Sequence, residues 1–185
     1  MSSDNLALIL IDIQNDYFPD GKNELEGSIQ AGQKAALLLS HFREHKLPLV
    51  HIQHISNRPG ATFFIPGTRG AEIHPLVKPL KNETIFQKHF PNSFRGTLLL
   101  DHLRQSGIIR LVIAGMMTHM CVDATTRAAN DFGFECMLVH DTCATRALKF
   151  MDQEIPAAHV HGSFLAALAS YAKILNTDEL LAQLQ

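Results

Sequence analysis

The sequence IIRLVIAGMMTHMCVDATTRAANDFGFECMLVH, residues 108–140, contains two apolar runs separated by a stretch with helical character. The first run, IIRLVIAG (108–115), and the second, FECMLVH (134–140), are typical of strands buried on both faces of a sheet. Between them we predict a helix from about Cys121 to Phe132. A strand, a helix and a strand in succession favour two parallel strands joined by a crossover helix.

The same alternation of strands and helices extends toward both ends of the chain. Further strands are predicted at LALILID (6–12), LPLVHIQ (47–53), ETIFQK (83–88) and YAKIL (171–175). Helices are predicted from a Ser28 cap to about His45, from a Thr97 cap to Gly107, over roughly 153–169 and over 178–184. This order predicts an α/β fold, a three-layer α/β/α sandwich with a mainly parallel, Rossmann-like six-stranded sheet. A length of 185 residues suits one domain spanning 1–185.

The composition of the sequence indicates which kinds of binding partner and which cellular compartment to expect. The formal net charge is −2 and there is no run of Lys or Arg, which argues against nucleic-acid and membrane-surface partners. The apolar run at the N-terminus meets Asp12 at once, so we interpret it as a strand rather than a signal peptide. An odd count of three cysteines without a leader fits reduced thiols and a cytoplasmic protein.

Three chemically complementary side chains follow three of the predicted strands. The first strand ends in Asp12, the third in Lys88, and the fourth in Gly115, one turn before Cys121. Ligands of parallel sheets bind outside the carboxyl ends of the strands, so these side chains are expected to meet. A lysine and a helix N-terminus would favour a Cys121 thiolate with a pKa below that of a free thiol, and Asp12 could carry its proton.

Each of these residues also has a common structural role when it is taken alone. An aspartate at a strand end is often a turn residue, and a lysine is usually solvated. Cys136 is interpreted as a core residue and Cys143 as a tight-turn residue. His51 and His54 are expected to point to opposite faces, and no H-E-x-x-H or C-x-x-C pattern occurs. We therefore expect no metal site and no cofactor.

The sequence resembles the isochorismatase-like cysteine hydrolases, a family that includes nicotinamidases, carbamoylsarcosine amidases and isochorismatases. The similarity covers about residues 6–176. Its motifs are ALILIDIQNDYF near the start, GTRGAEIHPLV in the long loop, IFQKHFPNSFRGTLL around the lysine, and LVIAGMMTHMCVDATTRAANDFGFECMLVHDTCAT. The resemblance implies a single isochorismatase-like hydrolase domain, a small-molecule substrate and a homo-oligomer, either a dimer or a tetramer.

The resemblance also assigns roles to individual residues. Asp12, Lys88 and Cys121 correspond to the catalytic trio of the family. A cis peptide is implied between Met116 and Met117, and the N–H groups of Met117 and Cys121 would form an oxyanion hole. Residues expected to line the substrate pocket are Gln14, Phe18, Gln53, Phe63, Phe64, Arg69 and His119.

Two departures from family patterns bear on the reaction. The Asp-x-His pair of metal-dependent nicotinamidases is replaced after the second strand by QHISNRPG, which argues against a zinc- or iron-dependent nicotinamidase. The thiol is retained, which favours hydrolysis of a small amide, ureide or carbamoyl C–N bond through a covalent thioester. Two alternatives stay open: vinyl-ether hydrolysis of the isochorismatase type with Asp12 as general acid, and a non-catalytic binding or assembly protein on the same fold.

Overall fold

A six-stranded parallel sheet forms the centre of the protein. The computed structural model describes residues 5–184. Its first five strands are β1 (Leu6–Ile11), β2 (Leu49–His54), β3 (Thr84–Lys88), β4 (Arg110–Met116) and β5 (Glu135–Ala144). A short antiparallel hairpin of β6 (Leu148–Phe150) and β7 (Gln153–Ile155) precedes the last sheet strand, β8 (Ala172–Leu175). The strand order is β3-β2-β1-β4-β5-β8, so the order reverses between β1 and β4, where such sheets bind ligands.

Within residues 5–184, five α-helices cover the two faces of this sheet. They are α1 (Ser28–Glu44), α2 (Leu99–Gln105), α3 (Asp123–Asp131), α4 (Ala157–Leu168) and α5 (Thr177–Leu184). Alternate residues of β1 serve the two faces: Leu8 packs in one core with α1 and α5, while Ile9 packs in the other with α2, α3 and α4. The predicted three-layer α/β/α architecture is therefore confirmed. None of the helices in residues 5–184 combines the length and hydrophobicity that a membrane-spanning segment needs.

The structure differs from the sequence prediction in local details. β5 continues to Ala144, because a shift of register after Ile113 lets Cys143 pair with Gly115. Cys143 is thus a strand residue rather than a tight-turn residue, and the β6–β7 hairpin beyond it was not predicted. The α1 helix does begin at Ser28, but its N-cap is Gly27, in the left-handed region at φ 72°, and no side chain caps it.

Candidate active site

Asp12 and Lys88 form a fully buried ion pair at the carboxyl edge of the sheet. Asp12 follows β1 directly, and Lys88 is the last residue of β3. Lys88 Nζ lies 2.8 Å from Asp12 Oδ2 and also donates a hydrogen bond of 2.9 Å to the carbonyl of Pro91. Burial alone would lower the pKa of Lys88, but Asp12 and the Cys121 sulfur raise it above its ordinary value. The lysine therefore remains a charged ammonium beside the carboxylate.

The turn after β4 brings Cys121 to the same place. Gly115 has φ 130°, and a Cβ at this position would lie 2.0 Å from the carbonyl oxygen of Ile11, so a larger residue does not fit where β4 passes β1. The peptide bond that joins Met116 to Met117 is cis. A π-helical turn, Thr118–Val122, then leads into α3. Cys121 lies in this turn, and a carboxylate oxygen of Asp12 is within 4.8 Å of its sulfur.

The protonation of Cys121 differs from the sequence expectation. Burial raises the pKa of the Cys121 thiol above its ordinary value, Asp12 raises it further, and Lys88 lowers it only in part. The predicted depression of this pKa is therefore wrong. A lysine and a helix start both favour a thiolate, but the almost complete removal of the sulfur from water has the larger effect on its pKa. With its pKa raised, the Cys121 thiol keeps its proton at neutral pH.

His54 is a member of this cluster that the sequence argument missed. Its Nδ1 atom lies 3.8 Å from Asp12 Oδ2 and 3.9 Å from Cys121 Sγ. Burial lowers the pKa of His54 below its ordinary value, although Asp12 opposes this effect, so the imidazole is neutral at pH 7. The sequence predicts only that His54 points away from His51 and takes no part in a metal site. His54 is the last residue of β2, and this position at the carboxyl edge of the sheet is the signal that could have identified it as a site residue.

Gln14 fixes the backbone of His54 from behind. The Gln14 side chain accepts a 2.7 Å hydrogen bond from the N–H of His54 and donates one of 2.9 Å to its carbonyl. It also donates to the carbonyl of Ala71 at 2.8 Å, which ties the long loop to the sheet edge. Gln14 is completely buried, so it is a positioning residue rather than part of a surface open to a ligand.

A cavity of about 150 Å³ opens onto the cysteine. Its walls come from the segment after β1, the end of β2 with the loop beyond it, the segment after β3 and the π-helical turn. The lining residues are Tyr17, His54, Ser56, Asn57, Arg58, Phe63, His89, Phe90, Pro91, Met117, Met120 and Cys121. Three aromatic rings together with polar and cationic groups give the cavity a mixed character. A larger cavity of about 580 Å³ lies elsewhere, and Asp12, Lys88 and Cys121 are not among its lining residues.

The predicted pocket residues are distributed differently from the sequence expectation. Within residues 5–184, Phe63 alone of the seven lines the cavity at Cys121. The other six lie outside its lining: Gln14, Phe18, Gln53, Phe64, Arg69 and His119. Phe18 stacks on His74, with ring centroids 3.6 Å apart, and Gln53 donates to the carbonyl of Ala71. Arg69 borders the larger cavity instead.

Two of these six residues still lie near the site. Phe64 is fully buried, and its ring contacts those of Tyr17 and His54 at centroid distances of 4.6 and 5.8 Å, so it supports the wall from behind. His119, in the π-helical turn, shares a hydrogen bond with the hydroxyl of Thr145. The path of the loops, which the sequence does not specify, accounts for these placements.

A thiol, a carboxylate and an ammonium lie together at the switch point of a parallel sheet, and the thiol lines a cavity, an arrangement that suits a hydrolase of α/β architecture. Comparison with known proteins agrees. A family model described as the isochorismatase domain matches residues 6–169. The chain belongs to the isochorismatase family and is a hydrolase of that family.

Relatives and solved structures extend over nearly the whole chain. The uncharacterized isochorismatase family protein YddQ of Bacillus subtilis is 50% identical over 176 residues, which cover 95% of this chain and 98% of the relative. A crystal structure of an isochorismatase-type protein from Oleispira antarctica has a TM-score of 0.93 and 48% identity, covering 98% of this chain and 99% of that one. A streptothricin hydrolase of Streptomyces noursei is 31% identical over 167 residues, 90% of this chain and 57% of the relative.

Proposed function

We propose that this hydrolase cleaves an amide, ureide or carbamoyl C–N bond of a small molecule through a thioester on Cys121. The observation that carries the proposal is the position of the Cys121 thiol, which lines the cavity within 4.8 Å of a carboxylate oxygen of Asp12. The similarity to a streptothricin hydrolase supports hydrolytic chemistry on this scaffold. Lys88 completes the catalytic trio through its 2.8 Å ion pair with Asp12.

In the first half of the reaction the thiol is activated only when a substrate is present. Asp12 takes the proton of Cys121 as the sulfur attacks the substrate carbonyl carbon, so no thiolate has to be stored in the empty site. The new negative charge falls on the carbonyl oxygen. The backbone N–H groups of Met117 and Cys121, two residues of the cavity lining, are the donors that we assign to this oxyanion. The C–N bond then breaks, and the departing nitrogen takes the proton from Asp12.

The second half returns the enzyme to its starting state. A water molecule loses a proton to Asp12 as its oxygen attacks the thioester carbonyl. The C–S bond breaks, and the proton on Asp12 passes to the sulfur. Throughout both halves the Lys88 ammonium stays beside the carboxylate, so Asp12 alternates between neutral and charged states without leaving an unpaired buried anion.

The dimensions of the cavity favour a small substrate. A volume of about 150 Å³ is below the range of about 300–1,000 Å³ of ordinary ligand pockets. Tyr17, Phe63 and Phe90 provide flat apolar walls, which suit an acyl group of planar or apolar character. The exposed Arg58 is a cation at the rim, where it can contact a polar or anionic substituent.

We further propose that residues 1–185 act as one domain, in the cytoplasm, as a homo-oligomer of two or four copies. The three cysteines are free thiols, as expected in a reducing compartment. The β6–β7 hairpin presents Phe150 and Met151 at 66% and 80% exposure, an apolar surface that a second copy could cover. Light scattering coupled to size-exclusion chromatography would measure the number of copies.

A panel of small amides, ureides and carbamoyl compounds tests the reaction. Release of ammonia or amine would be followed for the wild type, Cys121→Ser and the matched variant Cys136→Ser, and intact-protein mass spectrometry would detect an acyl adduct. We expect Cys121→Ser to reduce turnover at least about 10³-fold and to lose the adduct, while Cys136→Ser retains both. Full activity of Cys121→Ser would eliminate the thioester mechanism and favour vinyl-ether hydrolysis with Asp12 as acid. Absence of any turnover would favour the non-catalytic alternative.

A further inference from the structure

Asp12, His54 and Cys121 offer one oxygen, one nitrogen and one sulfur to a common point. The three ligand atoms all lie within 4.8 Å of one another, with His54 Nδ1 at 3.8 Å from the carboxylate and 3.9 Å from the sulfur. Zinc bonds of about 2.0–2.3 Å in a tetrahedral arrangement place neighbouring ligand atoms about 3.3–3.8 Å apart. The observed separations therefore need to contract by only a few tenths of an ångström for the two histidine pairs.

The Asp12 carboxylate has coordination capacity that the protein does not use. Both its oxygens are buried, and within residues 5–184 Oδ1 has neither a hydrogen bond nor an ion-pair partner. Lys88 contacts Oδ2, the oxygen that also lies 3.8 Å from His54 Nδ1, so a bound cation would share this carboxylate with the ammonium while Oδ1 stays available as a second ligand atom. A buried carboxylate oxygen without a partner is an expensive arrangement, and a ligand that supplied one would be favoured.

We propose that the catalytic pocket is also an inhibitory site for a thiophilic divalent cation of the zinc type, bound by Asp12, His54 and Cys121. The sulfur–metal bond forms as the thiol proton leaves to solvent, and the cavity supplies room for water as a fourth ligand. Thiolate and imidazole ligands select zinc over magnesium or calcium, which prefer oxygen ligands. Lys88 remains next to the site as a positive charge, which limits the affinity and makes binding reversible.

Occupancy would stop the reaction proposed above, because the cation uses both the nucleophile and its base. The site rests on the same side chains as the proposed function, but its existence can be measured without any substrate. Failure to bind a metal would leave the thioester mechanism intact. Conversely, loss of the thioester mechanism would leave metal binding unaffected.

Cobalt(II) is a suitable spectroscopic probe for this site, and zinc is the ion for affinity. The full-length protein would be freed of metal with a chelator, kept reduced, and titrated with Co²⁺ and Zn²⁺ while absorbance and heat are recorded. We expect one equivalent to bind, with the near-ultraviolet sulfur-to-cobalt charge-transfer band of a thiolate ligand. Mg²⁺ should give neither signal. Zinc should also protect Cys121 from iodoacetamide at least about tenfold, as read by peptide mass spectrometry.

Substitutions of single residues test which side chains bind the metal. Cys121→Ser should lose the charge-transfer band, and His54→Gln should weaken zinc binding at least about tenfold. The matched control is His89→Gln, because His89 lines the same cavity but its Nδ1 is hydrogen-bonded to the carbonyl of Ile55. This control should bind as the wild type does. Circular dichroism checks that each variant is folded, and the protection of Cys121 in the wild type decides the matter if Cys121→Ser is not. Three results would overturn the proposal: the wild type shows no saturable binding, Cys121→Ser and His54→Gln both bind as the wild type does, or His89→Gln loses the charge-transfer band.

Discussion

Lys88 Nζ lies 2.8 Å from Asp12 Oδ2, and neither side chain has any exposure to solvent. The two residues end β3 and β1, which are separated in the sheet by β2. Lys88 is in register with His54, the last residue of β2, so the lysine side chain has to reach past this strand end to meet the carboxylate. Its length fits that task, and the carboxylate oxygen that it meets also lies 3.8 Å from His54 Nδ1.

The buried pair makes a strong prediction about stability. Replacing Lys88 by Met would leave the Asp12 carboxylate buried without its counter-ion, and we expect the free energy of unfolding to fall by about 3–5 kcal/mol. Urea denaturation followed by circular dichroism measures this change. The matched control is Lys34→Met, which removes a partly exposed lysine 3.7 Å from Asp141 and 3.5 Å from Asp178 and should cost less than about 1 kcal/mol. Equal effects of the two substitutions would contradict the importance assigned to the buried pair.

The raised pKa of the Cys121 thiol predicts the pH dependence of its alkylation. A group whose pKa is raised keeps its proton over the range where a free thiol, at about 8.5, already ionises. The rate of Cys121 labelling by iodoacetamide should therefore rise only at pH values above about 8.5. Peptide mass spectrometry after timed labelling across pH measures the profile, which belongs to the coupled Asp12–Cys121 system.

Two substitutions should move this profile in opposite directions. Lys88→Met removes the charge that lowers the pKa of Cys121, so the labelling curve should move to higher pH. Asp12→Asn removes a charge that raises it, so the curve should move to lower pH. A profile that stays in place in both variants would show that neither charge acts on the sulfur.

Gln14 is predicted to be important for both stability and the position of His54. Gln14→Leu removes the partner of the His54 N–H and of the His54 carbonyl. It also removes one of the two donors to the Ala71 carbonyl, which keeps its bond from Gln53. Each buried orphan costs about 1–3 kcal/mol, and partial relaxation should leave a net loss of about 2–4 kcal/mol in unfolding free energy. Thermal and urea unfolding measure the loss. Gln53→Leu is a useful comparison, because it also removes a donor to the Ala71 carbonyl but leaves His54 bonded; an equal loss there would argue against the specific role of Gln14.

Metal removal should not abolish the hydrolase activity. The place where metal-dependent nicotinamidases carry an Asp-x-His pair reads QHISNRPG here, and we expect activity on an identified substrate to survive dialysis against a strong chelator. If zinc binds as proposed, chelation should raise the activity of zinc-loaded enzyme and added zinc should lower it. Loss of activity on chelation that zinc restores would show instead that the metal takes part in the reaction.

The architecture and the convergence of Asp12, Lys88 and Cys121 could be predicted from the sequence. Continuous apolar runs such as LALILID can be satisfied only by strands covered on both faces, and their alternation with helices forces parallel strands. The carboxyl ends of parallel strands share one edge, so Asp12, Lys88 and the cysteine turn had to meet there. These conclusions follow from backbone geometry that the pattern itself specifies.

Three features could be known only from the tertiary structure. They are the protonation of Cys121, the position of His54 beside Asp12 and Cys121, and the set of residues that line the cavity. The loops after β1 and β2 have no periodic pattern, so their paths depend on contacts between distant residues, such as the bonds from Gln14 to His54 and Ala71. The pKa of the thiol depends on how completely neighbouring segments exclude water, and this is a property of packing in three dimensions. The end of a strand can be located from the local sequence. The burial and the neighbours of the side chain that follows the strand cannot be predicted in this way.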